Sequence, residues 1–354
     1  MIDTCTPAGG RAYWVMRLAA LVPALFCVAK LLPGQRSGLL LGVRLSDDMT
    51  YRSLWITPGG NEPHVVSGPD LIVPGRNAFS RVCTVRYHEL NDGELSIGDT
   101  LVVARADLPR GFCATADAVS EEETGNSHCS SESQMMVTFA GSAAIGIQSS
   151  AQYNCGAHPD GEASVYLRRL DGDTISFRTA LTPAERRRWD VRALAAGKAQ
   201  YGDLGIFENW TMEDDRAHLS LDDAIGIERA AGRWQATGTV SCTPHVACGS
   251  ESFQMSIPGF ALPRSLIGHD ALRPTFAAIV ARFPQATDAF SSPRGDVVAV
   301  ANGGTLQVFL PTGAQLGSPV LSIPFEGTVV MVEWATGRFV SQWSAQLSSI
   351  FAIR

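Results

Sequence analysis

The sequence has none of the short motifs by which the common catalytic folds are recognised. It contains no G-x-S-x-G, no Walker A loop, no G-x-G-x-x-G after a predicted strand, no H-E-x-x-H and no C-x-x-C. These absences exclude the hydrolases, NTPases, dinucleotide enzymes and zinc peptidases that local sequence can identify. They leave open an active site whose residues come from distant parts of the chain.

Lysine is almost absent, and the formal net charge of the 354 residues is −7. Lysine occurs only at Lys30 and Lys198, so nearly all positive charge is carried by arginine, a bias that indicates a GC-rich coding sequence and a bacterial source. A nucleic-acid partner is not expected, because phosphate binding needs a clustered basic surface. The one dense basic run, Arg186-Arg187-Arg188, lies in a predicted helix and is interpreted as a solvated face.

The chain also lacks an apolar run long enough to cross a bilayer. Its N-terminal run, Leu18–Ala29, has the length of the apolar core of a secretory signal and follows Arg11 and Arg17. We therefore predict a leader over residues 1–35 and an exported product that is periplasmic, extracellular or envelope-associated, with no membrane span after leader removal. An uncleaved anchor and a buried apolar segment of a cytosolic protein are the alternatives.

The sequence contains eight cysteines, which fits a protein of an oxidising compartment. Cys5 and Cys27 fall in the predicted leader, and their removal leaves an even set of six. Six cysteines allow fifteen pairings, so the connectivity stays open at the level of sequence. The simplest pairing closes short loops and joins Cys83 with Cys113, Cys129 with Cys155, and Cys242 with Cys248.

A Cys-x-x-His step occurs twice, at Cys155 with His158 and at Cys242 with His245. Thiolates and imidazoles are the ligands that Zn²⁺ accepts in tetrahedral sites. A zinc site and export compete, however, because thiolates do not persist in an oxidising compartment. The disulfide interpretation is therefore preferred, and neither a metal nor another cofactor is expected.

Short apolar segments separated by Gly, Pro and Asn predict a mainly β fold. Gln35–Leu41 is interpreted as a linker, and residues 36–287 as a β-rich domain with disulfides and inserted helices. Residues 288–354 are predicted to form an antiparallel meander that packs with the N-terminal strands, an arrangement that would suit a partly propeller-like or barrel-like fold. The predicted strands of this meander are Asp296–Ala301, Thr305–Leu310, Val320–Phe325, Thr328–Trp334 and Arg338–Trp343.

Two short helices interrupt the β pattern, so the predicted class is α+β with a dominant β content. Thr182 and Glu185 form a capping box, with Pro183 at the first helical position and Gly197 as the predicted end. The second helix, Pro274–Phe283, has apolar residues at i, i+3, i+4 and i+7 spacing.

A short motif, Gly156-Ala157-His158-Pro159, follows Tyr153 between two predicted strands. It resembles part of an extracytoplasmic domain of uncharacterised function that occurs in a lysozyme-sensing anti-sigma factor and beside peptidoglycan deacetylase domains. In that family the motif is Tyr followed by Gly-Gly-Ala-His-Pro, and here Cys155 replaces the first glycine. The resemblance covers residues 135–185, without the family's downstream Pro-Tyr end, and implies a cell-envelope binding domain that has no catalysis of its own.

Three histidines, His158, His245 and His269, are the candidate binding residues. For His158 the alternative is a structural, hydrogen-bonded histidine. His269 precedes Asp270, and the two would need only a remote serine to form a hydrolytic triad. The leading hypothesis is an exported cell-envelope protein that binds a protein partner or cell-wall glycan. The alternative is an envelope hydrolase with a dispersed active site.

The cysteine interpretation predicts that the mature protein has no free thiol. Mass spectrometry after alkylation is expected to find all six cysteines of the mature chain blocked without reductant and all six alkylated after reduction. Six reactive thiols that retain a metal before reduction would contradict the disulfide interpretation.

Overall fold

Strands dominate the part of the chain described by this computed structural model, which comprises residues 36–45, 50–59, 63–75, 78–91, 94–109, 129–155, 160–171, 174–201, 225–241, 252–313 and 315–353. The strands are β1 (Gly38–Arg44), β2 (Tyr51–Thr57), β3 (His64–Pro69), β4 (Leu71–Pro74), β5 (Phe79–Asn91), β6 (Glu94–Arg105), β7 (Cys129–Gly141), β8 (Ala144–Cys155), β9 (Asp160–Asp171), β10 (Thr174–Thr179), β11 (Ile225–Ala230), β12 (Arg233–Ser241), β13 (Ser252–Ser256), β14 (Ala286–Ser291), β15 (Val298–Asn302), β16 (Thr305–Phe309), β17 (Leu321–Pro324) and β18 (Thr328–Ala335). The helices are α1 (Pro183–Tyr201), α2 (Arg264–Ile267), α3 (Phe276–Arg282) and α4 (Arg338–Ala352). The mainly β class predicted from the sequence is confirmed.

The first and last described strands pair with each other. β18 and β1 are antiparallel neighbours in a four-stranded sheet with the order β18-β1-β2-β3, which we call the central sheet. The interpretation of Gln35–Leu41 as a linker is therefore wrong, because Gly38 to Leu41 belong to a buried strand. The sharing of one sheet by the two ends does not produce a barrel: each of the sheets formed by the described residues is open, with two edge strands.

Both faces of the central sheet are covered, which explains the unbroken apolar sequence of β1. Leu39 and Leu41 pack into one core cluster, whereas Leu40 packs into a second cluster on the opposite face together with Trp55. A strand that is buried on both faces has no polar alternation. For this reason the period-2 pattern that marks a half-exposed strand is missing from residues 38–43.

The largest sheet has seven strands in the order β10-β9-β8-β7-β6-β5-β4. All its neighbouring strands are antiparallel except β6 and β7, which are parallel. The sequence pattern predicts one strand over Met135–Ile147, but these residues belong to a hairpin, in which β7 and β8 are joined by a turn at residues 142–143. Asp171-Gly172-Asp173 predicts a hairpin turn before Thr174–Thr179, and the antiparallel pairing of β9 with β10 confirms this hairpin.

The C-terminal part contains a meander of four strands, of which the first, β14, is not among the predicted strands. β14, β15, β16 and β17 are sequential antiparallel neighbours in one sheet. The next strand, β18, leaves this sheet and completes the central sheet. The predicted strand Arg338–Trp343 is wrong, because these residues form the first part of helix α4. A fourth, small sheet has the order β11-β12-β13. The sequence predicts a strand pair at Ala224–Glu228 and Gly232–Ser241, to which β11 and β12 correspond, whereas β13 was not predicted.

Helix α1 begins where the capping box predicts. The Glu185 carboxylate accepts hydrogen bonds from the Thr182 N–H and hydroxyl, and the Glu185 N–H donates to Thr182 Oγ1. The helix does not end at Gly197 but continues to Tyr201, so that prediction is wrong. α3 lies within the predicted second helix and is capped by Thr275 Oγ1, which accepts from the Ala278 N–H. Among the described residues, no helix combines the length and apolarity needed to cross a membrane.

A buried ionic cluster joins the small sheet to the meander. The side chain of Arg229 is 4% exposed and lies between the carboxylates of Asp288, at 2.7 Å, and Asp270, at 3.2 Å. Its guanidinium also donates to the Ala289 carbonyl and lies over the ring of Phe290, with 4.5 Å to the ring centroid. Burial raises the pKa of both carboxyls above the ordinary value, in opposition to the charge and hydrogen bonds of Arg229.

Removal of the Arg229 charge is expected to destabilise the folded protein. Arg229→Met leaves two largely buried carboxyl groups without their counter-charge. We expect this substitution to lower the free energy of unfolding by about 3–5 kcal/mol. The loss should be larger at pH 8 than at pH 5, because carboxyls whose pKa is raised by burial become neutral as the pH falls. Urea unfolding of both proteins at pH 5 and pH 8 measures this loss of stability.

Arg105→Met is the matched control, because Arg105 forms an exposed ion pair with Asp107 at 2.6 Å. Exposed pairs contribute less than about 1 kcal/mol. An unfolding free energy for Arg229→Met within about 1 kcal/mol of the unmodified protein would contradict the assigned role of the buried cluster.

Candidate functional site

His269 is the one candidate histidine within the described residues, and it does not line an open site. It lies after α2 beside a cavity of about 10 Å³, which has room for roughly one water molecule. Its neighbour Asp270 is already engaged, since the carboxylate accepts from Arg229 and from the Trp234 N–H. The described geometry therefore gives no hydrolytic dyad at this position. His158 and His245 lie outside the described residues.

The structure describes only three of the six cysteines that are predicted to form disulfides. Cys83 is buried and disulfide-bonded. Cys129 and Cys155 are directly opposite each other in the antiparallel register of β7 and β8, a backbone arrangement that suits a disulfide. Cys113, Cys242 and Cys248 lie outside the described residues, so all three pairings stay predictions. No group of three potential metal ligands occurs among the residues that the structure describes.

Among the carboxyl groups of the described residues, Glu333 on β18 has the most strongly shifted pKa. Burial raises its pKa to about 7, although the Ser142 N–H donates a hydrogen bond to it. Within the described part of the chain, no basic side chain forms an ion pair with it. Perturbed carboxyls often mark functional sites, but this one packs beside the turn between β7 and β8 and lines none of the described open grooves. We interpret it as a group that couples stability to pH.

Glu333 should make the protein less stable as pH rises. A folded-state pKa near 7, against an unfolded value of 4.5, favours folding below about pH 4.5, and this contribution is lost between pH 4.5 and 7. Glu333→Gln keeps an oxygen for the Ser142 N–H but cannot ionise. The variant is expected to exceed the unmodified protein by about 2–3 kcal/mol at pH 8, with the difference shrinking towards pH 5.

The matched control is Glu326→Gln, which changes an exposed carboxylate in the loop before β18. Denaturant unfolding between pH 5 and pH 8 compares the variants. A Glu333→Gln protein whose stability follows the same pH dependence as the unmodified protein would contradict the assigned titration.

Helix α4 forms one wall of an open groove. Its buried residues Val340, Leu347 and Ile350 face the second core cluster. The neighbouring helical face carries Phe339, Gln342, Trp343 and Gln346, which line the groove together with Thr336 and Phe79. The volume of this groove, which we call the α4 groove, is about 260 Å³. This is slightly below the usual range of small-ligand pockets, about 300–1,000 Å³.

Aromatic contacts hold the floor of the α4 groove in place. The ring of Trp343 lies 5.7 Å from the ring of Trp55 and meets Phe79 edge-on at 5.3 Å. Trp55 is fully buried and donates from Nε1 to Ser344 Oγ at 3.0 Å. Gly38 allows this packing, because a Cβ at that position would overlap the Trp55 ring. Trp343 therefore has a fixed position before any ligand arrives.

The rim of the α4 groove combines an exposed aromatic ring with neutral polar side chains. Phe339 is 46% exposed, and it is one of three large apolar side chains that are exposed among the described residues. The guanidinium of Arg338 lies 5.3 Å from the centre of its ring. None of the described residues that line the groove is charged, and Gln342 and Gln346 supply amide donors and acceptors. This combination of aromatic faces and neutral polar groups suits an uncharged polar ligand.

The comparisons with known proteins add little to this picture. No protein-family model matches the sequence, and no curated protein matches it. Among solved structures, the chain is similar to a DUF3298 family protein from Pseudomonas aeruginosa PAO1, with 12% sequence identity and a TM-score of 0.29. The match covers 50% of this chain and 89% of that one. This weak similarity supports no function, and the resemblance of residues 135–185 stays a prediction.

Proposed function

We propose that this protein is an exported binding protein of the bacterial cell envelope, and that the α4 groove holds an uncharged segment of cell-wall glycan. One observation carries the proposal. An open groove lined by aromatic rings, amides and a hydroxyl, without a charged lining residue among those described, lies on a pre-packed aromatic floor.

The chemistry of a glycan matches each part of this lining. A sugar ring presents an apolar C–H face to an aromatic ring and hydroxyl or acetamido groups around its edge. Phe339 and Trp343 supply the aromatic surfaces. Gln342 and Gln346 both donate and accept hydrogen bonds, as does the hydroxyl of Thr336. An anionic ligand would find no described cation within the lining.

The proposed location draws support from the sequence. The apolar run that ends at Ala29 and the even number of cysteines after it are typical of an exported chain. The motif that ends at His158-Pro159 resembles a domain of the cell envelope. The alternative of an envelope hydrolase gains no support from the described residues, because His269 is not one of the residues that line the α4 groove.

Loss of the exposed ring should weaken glycan binding without unfolding the protein. Phe339→Ala is expected to reduce affinity for purified, peptide-free peptidoglycan strands by about fivefold, because an aromatic contact contributes about 1 kcal/mol. Gln342→Ala combined with Gln346→Ala should reduce it further by removing hydrogen bonds to the sugar edge. Tryptophan fluorescence and calorimetric titration measure the binding, and chromatography of the strands reveals any cleavage.

Val320→Ala is the matched control, since Val320 is 38% exposed before β17 and lies outside the groove lining. It should bind the glycan as the unmodified protein does. Equal affinities for Phe339→Ala, the double glutamine variant and the control would refute the α4 groove as the glycan site. Shortening of the strands that is lost on His158→Ala, His245→Ala or His269→Ala would instead favour the hydrolase.

A further inference from the structure

Helix α1 forms the wall of a second open groove with a different chemistry. Its lining includes Arg187, Arg188, Val191 and Arg192 on the helix, and Gly259 with Phe260 on the opposite side. The volume of this groove, which we call the α1 groove, is about 660 Å³. That volume lies well within the range of binding pockets.

The two faces of α1 explain why these side chains are exposed. Trp189 and Ala193 are fully buried in the first core cluster, which fixes the rotation of the helix about its axis. Arg188 and Arg192 are one helical turn apart on the exposed flank of this buried face, so they form a row along the groove. Val191 between them is 56% exposed, the highest value among the exposed large apolar side chains described.

Positive charge is concentrated here in a chain of net charge −7. α1 contains five basic and two acidic side chains. Arg186 is neutralised, because its Nε lies 2.8 Å from the Asp190 carboxylate. Arg187, Arg188 and Arg192 form no ion pair with any residue that the structure describes. The interpretation of the arginine run as a solvated face therefore predicted the exposure of these arginines, but it did not predict the groove beside them.

Glycine in the opposite wall leaves the space beside one arginine open. Gly259 has a φ of +74°, a conformation that favours glycine, and a Cβ there would lie 3.5 Å from Nη1 of Arg192. A side chain at this position would therefore contact the guanidinium, whereas glycine leaves it accessible from the groove. Phe260 is half-buried and packs on the first core cluster, so it adds a rigid apolar surface to the groove.

We propose that the α1 groove binds an acidic peptide segment of a protein partner, one that alternates carboxylates with apolar side chains. Arginine binds carboxylates through two parallel hydrogen bonds, and three guanidiniums without an ion pair to any described residue can hold several acidic side chains. Val191 and Phe260 accept the intervening apolar side chains. The charge of the site complements such a segment, whereas a basic peptide would be repelled.

The apolar part of the lining decides between this partner and other anions. A phosphate-bearing polymer would engage the arginines but would leave Val191 exposed. A lipid surface is broad and flat, whereas the site is a groove with two walls. Neither the location nor the chemistry overlaps with the α4 groove, so this inference stands or falls independently of the proposed glycan binding.

Fluorescence anisotropy with a labelled peptide that alternates Glu and Leu tests the proposal on the purified full chain. The double variant Arg187→Glu, Arg192→Glu should lower the affinity at least about tenfold, because each reversal replaces attraction by repulsion. Val191→Ser should lower it by a factor of about three through loss of apolar contact. Sodium chloride at about 500 mM should weaken binding relative to about 50 mM.

Arg233→Glu is the matched control, since Arg233 is an exposed arginine at the start of β12 that lies outside the groove lining. It should bind the peptide as the unmodified protein does. Circular dichroism and thermal unfolding establish that each variant is folded. The proposal is overturned if the alternating peptide does not bind, or if Val191→Ser leaves its affinity unchanged. Equal or tighter binding of polyglutamate, polyphosphate or phosphatidylglycerol vesicles would also overturn it.

Discussion

The antiparallel pairing of β1 with β18 is the constraint on which the rest of the structure depends. It adds β18 to the central sheet, both faces of which are covered, with Leu39 in one core cluster and Leu40 in the other. The same pairing carries the chain into α4, whose Ser344 accepts the hydrogen bond from Trp55, 289 residues away in sequence. Without this strand pair, the floor of the α4 groove would lose its support.

Buried charge is handled in two different ways in this fold. Arg229 is surrounded by two carboxylates, a carbonyl and an aromatic ring, so that its charge is fully compensated and joins two sheets. Glu333 has a backbone hydrogen bond and no described cation, and its pKa rises to about 7 in response. Paired charge fixes the geometry, whereas the unpaired carboxyl makes the central sheet sensitive to pH.

Features coded by neighbouring residues were predictable, and features that depend on distant contacts were not. The capping box at Thr182 is local, and its helix begins as predicted. Gly197 did not end that helix: beyond it, Gln200 Nε2 donates a hydrogen bond to the Ser256 carbonyl, a tertiary contact that the local signal does not contain. The helical spacing of Val340, Leu347 and Ile350 becomes visible only over three turns. The α4 groove joins α4 to Phe79, and no local pattern signals such a meeting.

The pairing of β1 with β18 also affects when the protein can fold. A ribosome releases β1 early and β18 only after all other described strands have emerged, so β1 lacks its β18 neighbour during most of synthesis. Both core clusters depend on that sheet, and a growing chain would remain loosely structured until late. For an exported chain, as proposed, such a delay would favour translocation before the fold is complete.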